Sequence, residues 1–305
     1  MAKLSLGVDI GGTNFRIGVV QGKTVIHEQR FPADFSSICK RYAPVTAMQE
    51  ILRISLSALQ QAIKLYPEIG AIGIGFPGFI DPVKGYVIQS PNLPGLHNVD
   101  IAGELGKLIG LPVRMENDAL VAALGEFTLL QQAPRSMVYI GLGTGVGGGL
   151  IHAARPYPGD HGMAMEIGHL ITEPGGRQCG CGNRGCLEQY AAAPGVVASY
   201  KEATGDTLSA HDIARKAGEG DAVAFEAYAV AGLHLGRAIA HLAKILDPQL
   251  VLIGGGMSQA WPYLAPALQA QLDADVIPAL KGKVEIRLSD SGDKAGIIGA
   301  AHLVQ

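Results

Sequence analysis

Four residues near the middle of the chain have the types and spacing of a metal site. Nine residues separate His169 from Cys179, and Cys181 and Cys186 follow shortly afterwards. One histidine and three cysteines form the four-coordinate ligand set of a structural Zn²⁺ site, which leaves no open position for catalysis at the metal. A Cys179–Cys181 disulfide would close a very small, strained ring, and the C-x-x-C pattern of redox motifs is absent. The spacing favours a structural zinc over a redox switch.

A second set of candidates consists of glycine-rich turns that follow apolar, strand-like stretches. They are DIGGTN at 9–14, GLGTGVGG at 141–148 and GGG at 254–256. Glycine lets backbone N–H groups approach a phosphate closely. A carboxylate at Asp9 can hold Mg²⁺ and its waters beside bound phosphates. The alternative for residues 9–14 is a plain β-hairpin with a Gly-Gly turn. Three such turns in one chain favour a bound nucleotide.

Two common nucleotide motifs do not account for these turns. The chain contains no GxxxxGK[ST] sequence, so it is not a Walker-type ATPase. Residues 143–148 match GxGxxG, but a dinucleotide site needs a helix next. The stretch that follows is strand-like and is interrupted by Pro156 and Pro158, which disfavours a Rossmann site.

A third candidate is Asn117-Asp118, between a strand-like stretch and an apolar helical one. Both residue types are good helix N-caps, and capping can coexist with function. An aspartate at the end of a strand also suits the transfer of a phosphoryl group to a hydroxyl, which needs a group that accepts the hydroxyl proton.

The elements that must position these residues have an α/β pattern. The 305 residues favour two domains, and the net charge of -3 argues against a nucleic-acid partner. No apolar run is long enough for a membrane span or a signal peptide, so we expect a cytoplasmic protein, where clustered cysteines more often bind metal. Helical spacing predicts helices over 46–64, 118–130, 221–246 and the last dozen residues. Residues 7–20 and 138–151 share the pattern strand, glycine turn, strand, which predicts two related halves.

These motifs resemble those of the superfamily of sugar kinases, heat-shock chaperones and actin. Residues 166–190 resemble the signature of its ROK branch (repressors, open reading frames and sugar kinases), and the likeness extends from Leu6 to Ala301. The resemblance implies a two-domain actin-like ATPase fold of the ribonuclease H-like α/β class, with a cleft between the domains. We expect a small domain at 1–117 with the C-terminal helix at about 293–305, and a large domain at 118–292 with the zinc motif. It also implies a homodimer.

The same resemblance implies an ATP-dependent kinase that phosphorylates the 6-hydroxyl of a hexose, with Asp118 as the base. Glucose is the expected substrate, and N-acetylmannosamine, N-acetylglucosamine, mannose, fructose and allose stay open. The expected sugar-binding residues are Gly78, Asn92, Asn117, Asp118, Glu166, His169 and Glu188. The expected residues for ATP and Mg²⁺ are Asp9, Gly11, Gly12, Thr13, Asn14, Gly143, Thr144, Gly145, Gly255 and Gly256.

Two other functions are compatible with parts of the sequence. A ROK-type repressor would have a helix-turn-helix ahead of the first glycine turn, and Asp9 lies too near the start for one. Asp9 and Asp118 argue against a non-catalytic sugar-binding relative. The flanking glutamates, Glu166 and Glu188, could also be solvated surface carboxylates.

Overall fold

The fold consists of two α/β units, seen in a computed structural model that describes residues 4–11 and 14–305. The strands are β1 Leu4–Ile10, β2 Asn14–Gln21, β3 Thr24–Pro32, β4 Ile69–Phe76, β5 Phe79–Ile80, β6 Val87–Gln89, β7 His97–Val99, β8 Val113–Asn117, β9 Ser136–Leu142, β10 Val146–His152, β11 Arg155–Pro156, β12 Leu250–Gly254 and β13 Glu285–Leu288. The α-helices are α1 Phe35–Arg41, α2 Pro44–Leu65, α3 Ile101–Ile109, α4 Asp118–Leu129, α5 Glu188–Ala191, α6 Ala193–Thr204, α7 Ala210–Gly218, α8 Ala222–Leu246, α9 Trp261–Asp275 and α10 Lys294–His302. Short 3₁₀ helices cover Ile167–His169, Gly256–Ala260 and Pro278–Leu280.

Local sequence explains where many of these elements begin and end. Helix α3 begins after Asp100, whose carboxylate accepts a hydrogen bond from the Gly103 N–H, and ends at Gly110 in the left-handed conformation. Helix α8 begins after Asp221, which caps it in the same way. The interior strand β12 is buried along its whole length, as expected for an apolar strand covered on both faces.

The first five-stranded sheet has the order β3-β2-β1-β4-β8. The first three strands form an antiparallel meander, while β1, β4 and β8 run parallel. The carboxyl ends of these parallel strands therefore lie at one edge of the sheet. A small antiparallel sheet, β5-β6-β7, follows β4 in the chain.

The second five-stranded sheet has the order β11-β10-β9-β12-β13. In each sheet the third, second, first, fourth and fifth strands along the chain lie side by side, so the two sheets have the same strand order. This agreement confirms the two related halves predicted from the repeated pattern of strand, glycine turn and strand.

The chain divides into a first unit of residues 1–133, 149–164 and 291–305 and a second unit of residues 134–148 and 165–290. The C-terminal helix lies in the first unit. The expected boundary at 117/118 differs from this division, because α4 packs against α10 and stays with the first unit. A contact between helices distant in sequence, and not the strand–helix junction, decides this assignment.

Helix α8 is long and apolar enough to cross a membrane by length and composition alone. More than half of its most apolar window is buried, and it packs against α9 and α6. The described contacts of α8 are those of a helix in the core of the second unit.

Candidate active site and metal centre

Several candidate residues follow parallel strands of the first sheet. Asp9 of β1 pairs with Gly75 of β4, and Phe76 at the end of β4 pairs with Asn117 at the end of β8. Asp118 is the first residue of α4. The sheet register therefore brings Asp9 and the Asn117-Asp118 pair to the same edge, although 107 residues separate Asp9 from Asn117 in the chain.

Asp9 has a cationic neighbour that its motif does not include. The Arg16 guanidinium donates a short hydrogen bond to the Asp9 carboxylate and lies 3.3 Å from Asp293 Oδ2. Arg16 stands opposite Asp9 on the antiparallel strand β2. Asp9 therefore has a partly buried, paired carboxylate, which retains lone pairs for a cation or its waters.

Asn117 is the N-cap of α4, as its sequence position suggests. Its Oδ1 atom accepts hydrogen bonds from the N–H groups of Ala119 and Leu120, at 3.0 and 3.1 Å. Its Nδ2 atom donates to the Gly78 carbonyl oxygen at 3.1 Å. An amide nitrogen has two hydrogens, so the second can donate to a ligand.

Asp118 occupies the first turn of α4, and its Oδ1 atom accepts a hydrogen bond from the Ala119 N–H at 2.8 Å. The partial positive charge at a helix N-terminus favours the ionised carboxylate. An ionised carboxylate is the form that can accept a proton from a hydroxyl.

The other two predicted sugar ligands of the first unit have different surroundings. A Cβ atom at Gly78 would lie 2.8 Å from the Gln89 carbonyl oxygen, so glycine is needed there for packing against strand β6. Asn92 is exposed in the segment between β6 and β7. The structure thus explains Gly78 by an intramolecular contact and leaves Asn92 accessible.

Glu116 is a carboxylate that the sequence analysis did not select. It lies one residue before Asn117 and accepts a hydrogen bond from the Asn117 N–H at 2.8 Å. Burial raises the pKa of the Glu116 carboxyl, and this hydrogen bond opposes the shift. Burial of a carboxylate beside the candidate base was the missing signal, and sequence does not reveal it.

The second sheet brings two glycine turns to one edge. Strands β9 and β12 are parallel, and Gly141 pairs with Gly254. The turn of Gly143, Thr144 and Gly145 follows β9 and is closed by a 3.0 Å hydrogen bond from the Gly143 N–H to the Gly145 carbonyl. Gly255 and Gly256 follow β12. Both predicted phosphate turns thus lie where α/β sheets commonly bind ligands.

Gly255 and Gly256 differ in what requires a glycine. Gly255 has a φ of 82°, and a Cβ atom there would lie 2.2 Å from the Leu142 carbonyl oxygen. Gly256 is exposed, and a Cβ atom there would meet nothing within 4 Å. Glycine is therefore needed at 255 so that the turn after β12 can pack against the end of β9, while the Gly256 backbone is open to a ligand.

The first glycine turn is described only in part. Gly12 and Thr13 lie outside the described residues, as does the side chain of Asn14. Gly11 is exposed at the end of β1. The predicted contacts of these four residues with phosphate stay predictions.

The four predicted metal ligands come together as expected from their spacing. The ligand atoms of His169, Cys179, Cys181 and Cys186 all lie within 4.8 Å of one another. The Cys181 and Cys186 sulfurs are 3.6 Å apart, and Cys179 Sγ is 3.7 Å from His169 Nδ1. Tetrahedral zinc with Zn–S bonds of about 2.3 Å would place two sulfurs about 3.8 Å apart. The donor set and its spacing therefore fit Zn²⁺, and none of the four cysteines of the chain forms a disulfide.

The thiols of this centre have contrasting surroundings. Burial, with the neighbouring thiols adding to it, raises the pKa of Cys186 to about 12. The Asn183 backbone N–H lowers the pKa of the exposed Cys181 thiol. Gln189, which the sequence analysis did not select, donates to Cys179 Sγ at 3.6 Å. Such outer hydrogen bonds orient the ligands of a metal.

Three predicted sugar ligands border the metal centre. His169 directs Nδ1 towards Cys179, and its Nε2 atom is 3.9 Å from Glu166 Oε2. Glu188 begins α5, two residues after Cys186, and its Oε2 atom accepts a hydrogen bond from the Val146 N–H at 3.0 Å. Burial raises the pKa of the Glu166 carboxyl, against the influence of His169 and with that of Glu188. Glu188 is thus partly buried and Glu166 is exposed, and both lie near the metal ligands.

A polar network supports this segment from the interior of the second unit. The Arg177 guanidinium lies over the Tyr190 ring at 4.7 Å and donates to the Gln189 and Gly195 carbonyls and to Glu202. The other contacts of the network are a stacked His234–Tyr190 pair and a 2.9 Å His234 Nδ1 to Thr172 Oγ1 hydrogen bond. Burial lowers the pKa of His234 to about 4, so this imidazole is neutral near pH 7. The network holds the segment that contains the metal ligands without contributing a ligand.

Glycine turns follow parallel strands of both sheets, and a carboxylate stands at the start of a helix. A His-Cys₃ centre with flanking glutamates lies in the second unit. This combination is typical of a phosphotransferase of the α/β class. The chain belongs to the ROK family, which matches residues 5–305. Solved ROK structures share the two-domain actin-like ATPase fold, which confirms the predicted fold class.

Individual relatives cover nearly the whole chain. A glucokinase of Thermotoga maritima is 32% identical over 100% of this chain and 98% of its own length. An N-acetylmannosamine kinase of Escherichia coli is also 32% identical, over 99% of this chain and 98% of its own. The ROK family glucokinase of Streptomyces griseus, solved with glucose and AMPPNP, is 28% identical, with a TM-score of 0.81 and 98% of both chains covered.

Proposed function

We propose that this protein transfers the γ-phosphoryl group of ATP to the 6-hydroxyl of a hexose, with glucose as the preferred acceptor. The observation that most directly supports this proposal is the position of Asp118, a carboxylate at the start of α4 and at the carboxyl edge of the first sheet. The relatives that this chain resembles include glucokinases. A base near the end of a strand is suited to the proton transfer that this reaction requires.

Asp118 acts as the general base. It accepts the proton of the sugar 6-hydroxyl as the bond from that oxygen to the γ-phosphorus forms. The bond from the γ-phosphorus to the β,γ-bridging oxygen breaks, and ADP leaves. Most of the acceleration comes from positioning and from neutralising charge on the phosphoryl oxygens. Asn117 supports this step by donating its second amide hydrogen to the sugar.

The ATP-binding residues are the predicted ones. In the turn after β9 the Gly143 N–H closes the turn, and Thr144 and Gly145 offer backbone N–H groups to phosphate oxygens. Gly255 and Gly256 offer theirs in the turn after β12. Asp9 accepts hydrogen bonds from the waters of Mg²⁺, which supplies positive charge to the phosphates when bound. Arg16 keeps the Asp9 carboxylate in place.

The sugar is bound by Glu166, His169 and Glu188, whose carboxylates and imidazole can pair with vicinal hydroxyls. Asn92, with an exposed side chain, and the backbone near Gly78 complete the set. His169, Cys179, Cys181 and Cys186 would hold a structural Zn²⁺, which would fix the orientation of the His169 ring when bound. These four residues thereby support the sugar ligands, and we assign them no contact with the phosphate.

The main alternative acceptor is an N-acetylated hexosamine. The N-acetylmannosamine kinase of Escherichia coli is as similar in identity as the Thermotoga maritima glucokinase. Fructose, mannose and allose are further candidate acceptors. A non-catalytic sugar-responsive regulator is the less favoured alternative function. We also propose a cytoplasmic location. We further propose a homodimer, and light scattering of the purified protein would test this oligomeric state.

The experiment that tests the function is a coupled assay of ADP release with Mg²⁺-ATP and a panel of these hexoses. We expect glucose to give the highest kcat/KM, and phosphate to be attached at carbon 6, as read by NMR of the product. Turnover with an N-acetylhexosamine above that with glucose would change the assigned acceptor. ADP release that does not depend on any sugar would refute a sugar kinase.

A further inference from the structure

The Glu188 carboxylate connects the metal-binding segment to the glycine turn after β9. Its Oε2 atom accepts a 3.0 Å hydrogen bond from the N–H of Val146, the residue directly after the turn. A second hydrogen bond, 2.9 Å from the Ala193 N–H to the Gly143 carbonyl, joins the same two segments. The turn is thus tied at both of its ends to the segment that follows Cys186.

Gly145 stands beside this carboxylate with no room for a side chain. An ideal Cβ atom at Gly145 would lie 2.6 Å from Glu188 Oε2 and 3.5 Å from its Cδ. Real Cβ contacts are not found under 3.0 Å, so an alanine at 145 would displace the Glu188 carboxylate. The backbone at Gly145 is not left-handed, so alanine would fit its conformation.

Gly143, in the same turn, is a contrasting case. A Cβ atom there would meet nothing within 4 Å, and its backbone is also outside the left-handed region. The sequence motif treats both glycines alike, as residues that let phosphate approach. The contacts separate them, because only Gly145 of the two has the Glu188 carboxylate at its Cα.

We propose that Gly145, through its missing side chain, is a positioning residue for the sugar, in addition to the phosphate contact proposed for its backbone N–H. Its missing side chain lets the Glu188 carboxylate rest against the turn and accept the Val146 N–H. A carboxylate has four lone-pair positions, so this bond leaves capacity for sugar hydroxyls. The inference rests on the proposed sugar-kinase function, for which Glu188 is a sugar ligand.

The test is Gly145→Ala, with Gly143→Ala as the matched control. We expect Gly145→Ala to raise the sugar dissociation constant, measured by calorimetry without ATP, roughly 10-fold to 100-fold, as for loss of a hydrogen bond to a charged group. The KM for ATP should change less than about 3-fold, well below the shift for the sugar. Gly143→Ala should leave the sugar dissociation constant within about 2-fold. A rise in the KM for ATP that equals or exceeds the sugar effect would overturn the proposal.

A double-mutant cycle tests the route through Glu188. In a Glu188→Ala background there is no carboxylate to displace, so adding Gly145→Ala should weaken sugar binding less than about 2-fold. Full additivity of the two changes would contradict the proposal.

A third measurement does not need a folded Gly145 variant or any kinase activity. Glu188→Ala removes the acceptor of the Val146 N–H, so hydrogen exchange at that amide should accelerate at least about 10-fold. Amides of the remote strand β3 should be unaffected. Unchanged exchange at Val146 would refute the contact itself, whereas an inactive wild type would refute only the sugar-kinase function.

Discussion

At the scale of single residues, Asn117 and Asp118 combine a structural and a proposed catalytic task. Asn117 ends β8 and caps α4, which fixes the backbone from which Asp118 projects. The two readings of this pair, cap and active-site residue, are therefore compatible. The cap is the device that would keep the base in place.

Asp118→Asn should lower kcat by roughly 10²-fold to 10⁴-fold, because the amide cannot accept the hydroxyl proton. The new side chain keeps an oxygen that can accept the Ala119 N–H, so the start of α4 should survive. Steady-state kinetics with the best sugar of the panel measures the effect, and circular dichroism checks the fold.

Asp100→Asn is the matched control, because Asp100 is also an aspartate at a helix start. Its carboxylate accepts the Gly103 N–H, and asparagine caps helices as well as aspartate does. We expect unchanged kcat for this variant. If Asp118→Asn retained near-normal turnover, another group, of which Glu116 is the nearest carboxylate in sequence, would have to be the base.

At the scale of elements, residues 166–193 form a short segment with little regular structure and a dense set of tertiary contacts. The Leu187 N–H donates to the Leu170 carbonyl at 2.8 Å, and Ile171 pairs with Cys186 in an isolated bridge. Arg177 and the stacked His234–Tyr190 pair support the segment from the side of α6 and α8. Because little of the segment is helix or strand, a metal that joins its four ligands would add to its rigidity.

The zinc-binding segment should therefore contain about one Zn²⁺ per chain, and chelation should lower the melting temperature and raise the KM for the sugar more than that for ATP. Elemental analysis and thermal unfolding with and without a chelator measure this. Cys181→Ser should lose the metal, whereas Cys39→Ser, a cysteine of the first unit outside the site, should keep it. Less than about half an equivalent of zinc in carefully prepared wild type would contradict the assignment.

At the scale of the whole molecule, the end of the chain completes the core built by its beginning. Helix α10 packs on β1, β4 and α4 of the first unit. A Cβ atom at Gly7 would lie 1.9 Å from the Ile297 carbonyl oxygen, and one at Gly73 would lie 1.7 Å from that of Ala300. The first unit therefore cannot form its observed core until the last residues of the chain are present.

Gly299→Ala tests this closure. The new methyl group would lie 1.8 Å from the Val121 carbonyl oxygen of α4, so we expect destabilisation of about 3 kcal/mol or more despite the better helix propensity of alanine. Calorimetry of thermal unfolding measures it. The control is Gly70→Ala in β4, where a Cβ atom would meet nothing within 4 Å and the change should be within about 1 kcal/mol. Equal melting temperatures for the two variants would contradict the close packing of α10.

The sequence alone determined the features that depend on neighbours in the chain. The spacing from His169 to Cys186 predicts a four-ligand centre because those ligands lie in one short segment. Asn117 is a cap because it directly precedes an apolar helix. The repeated pattern of strand, glycine turn and strand indicates two related halves. Each of these inferences needs only local geometry.

Tertiary structure decided what depends on residues far apart in the chain. It brings Asp293 to Arg16, the partner of Asp9, places α4 with α10 in the first unit, and partly buries Glu116. It also separates glycines that look equivalent in a motif, since what stands beside a missing Cβ atom is set by packing. Gly255 meets Leu142 and Gly145 meets Glu188, and neither partner can be read from the turn that contains the glycine.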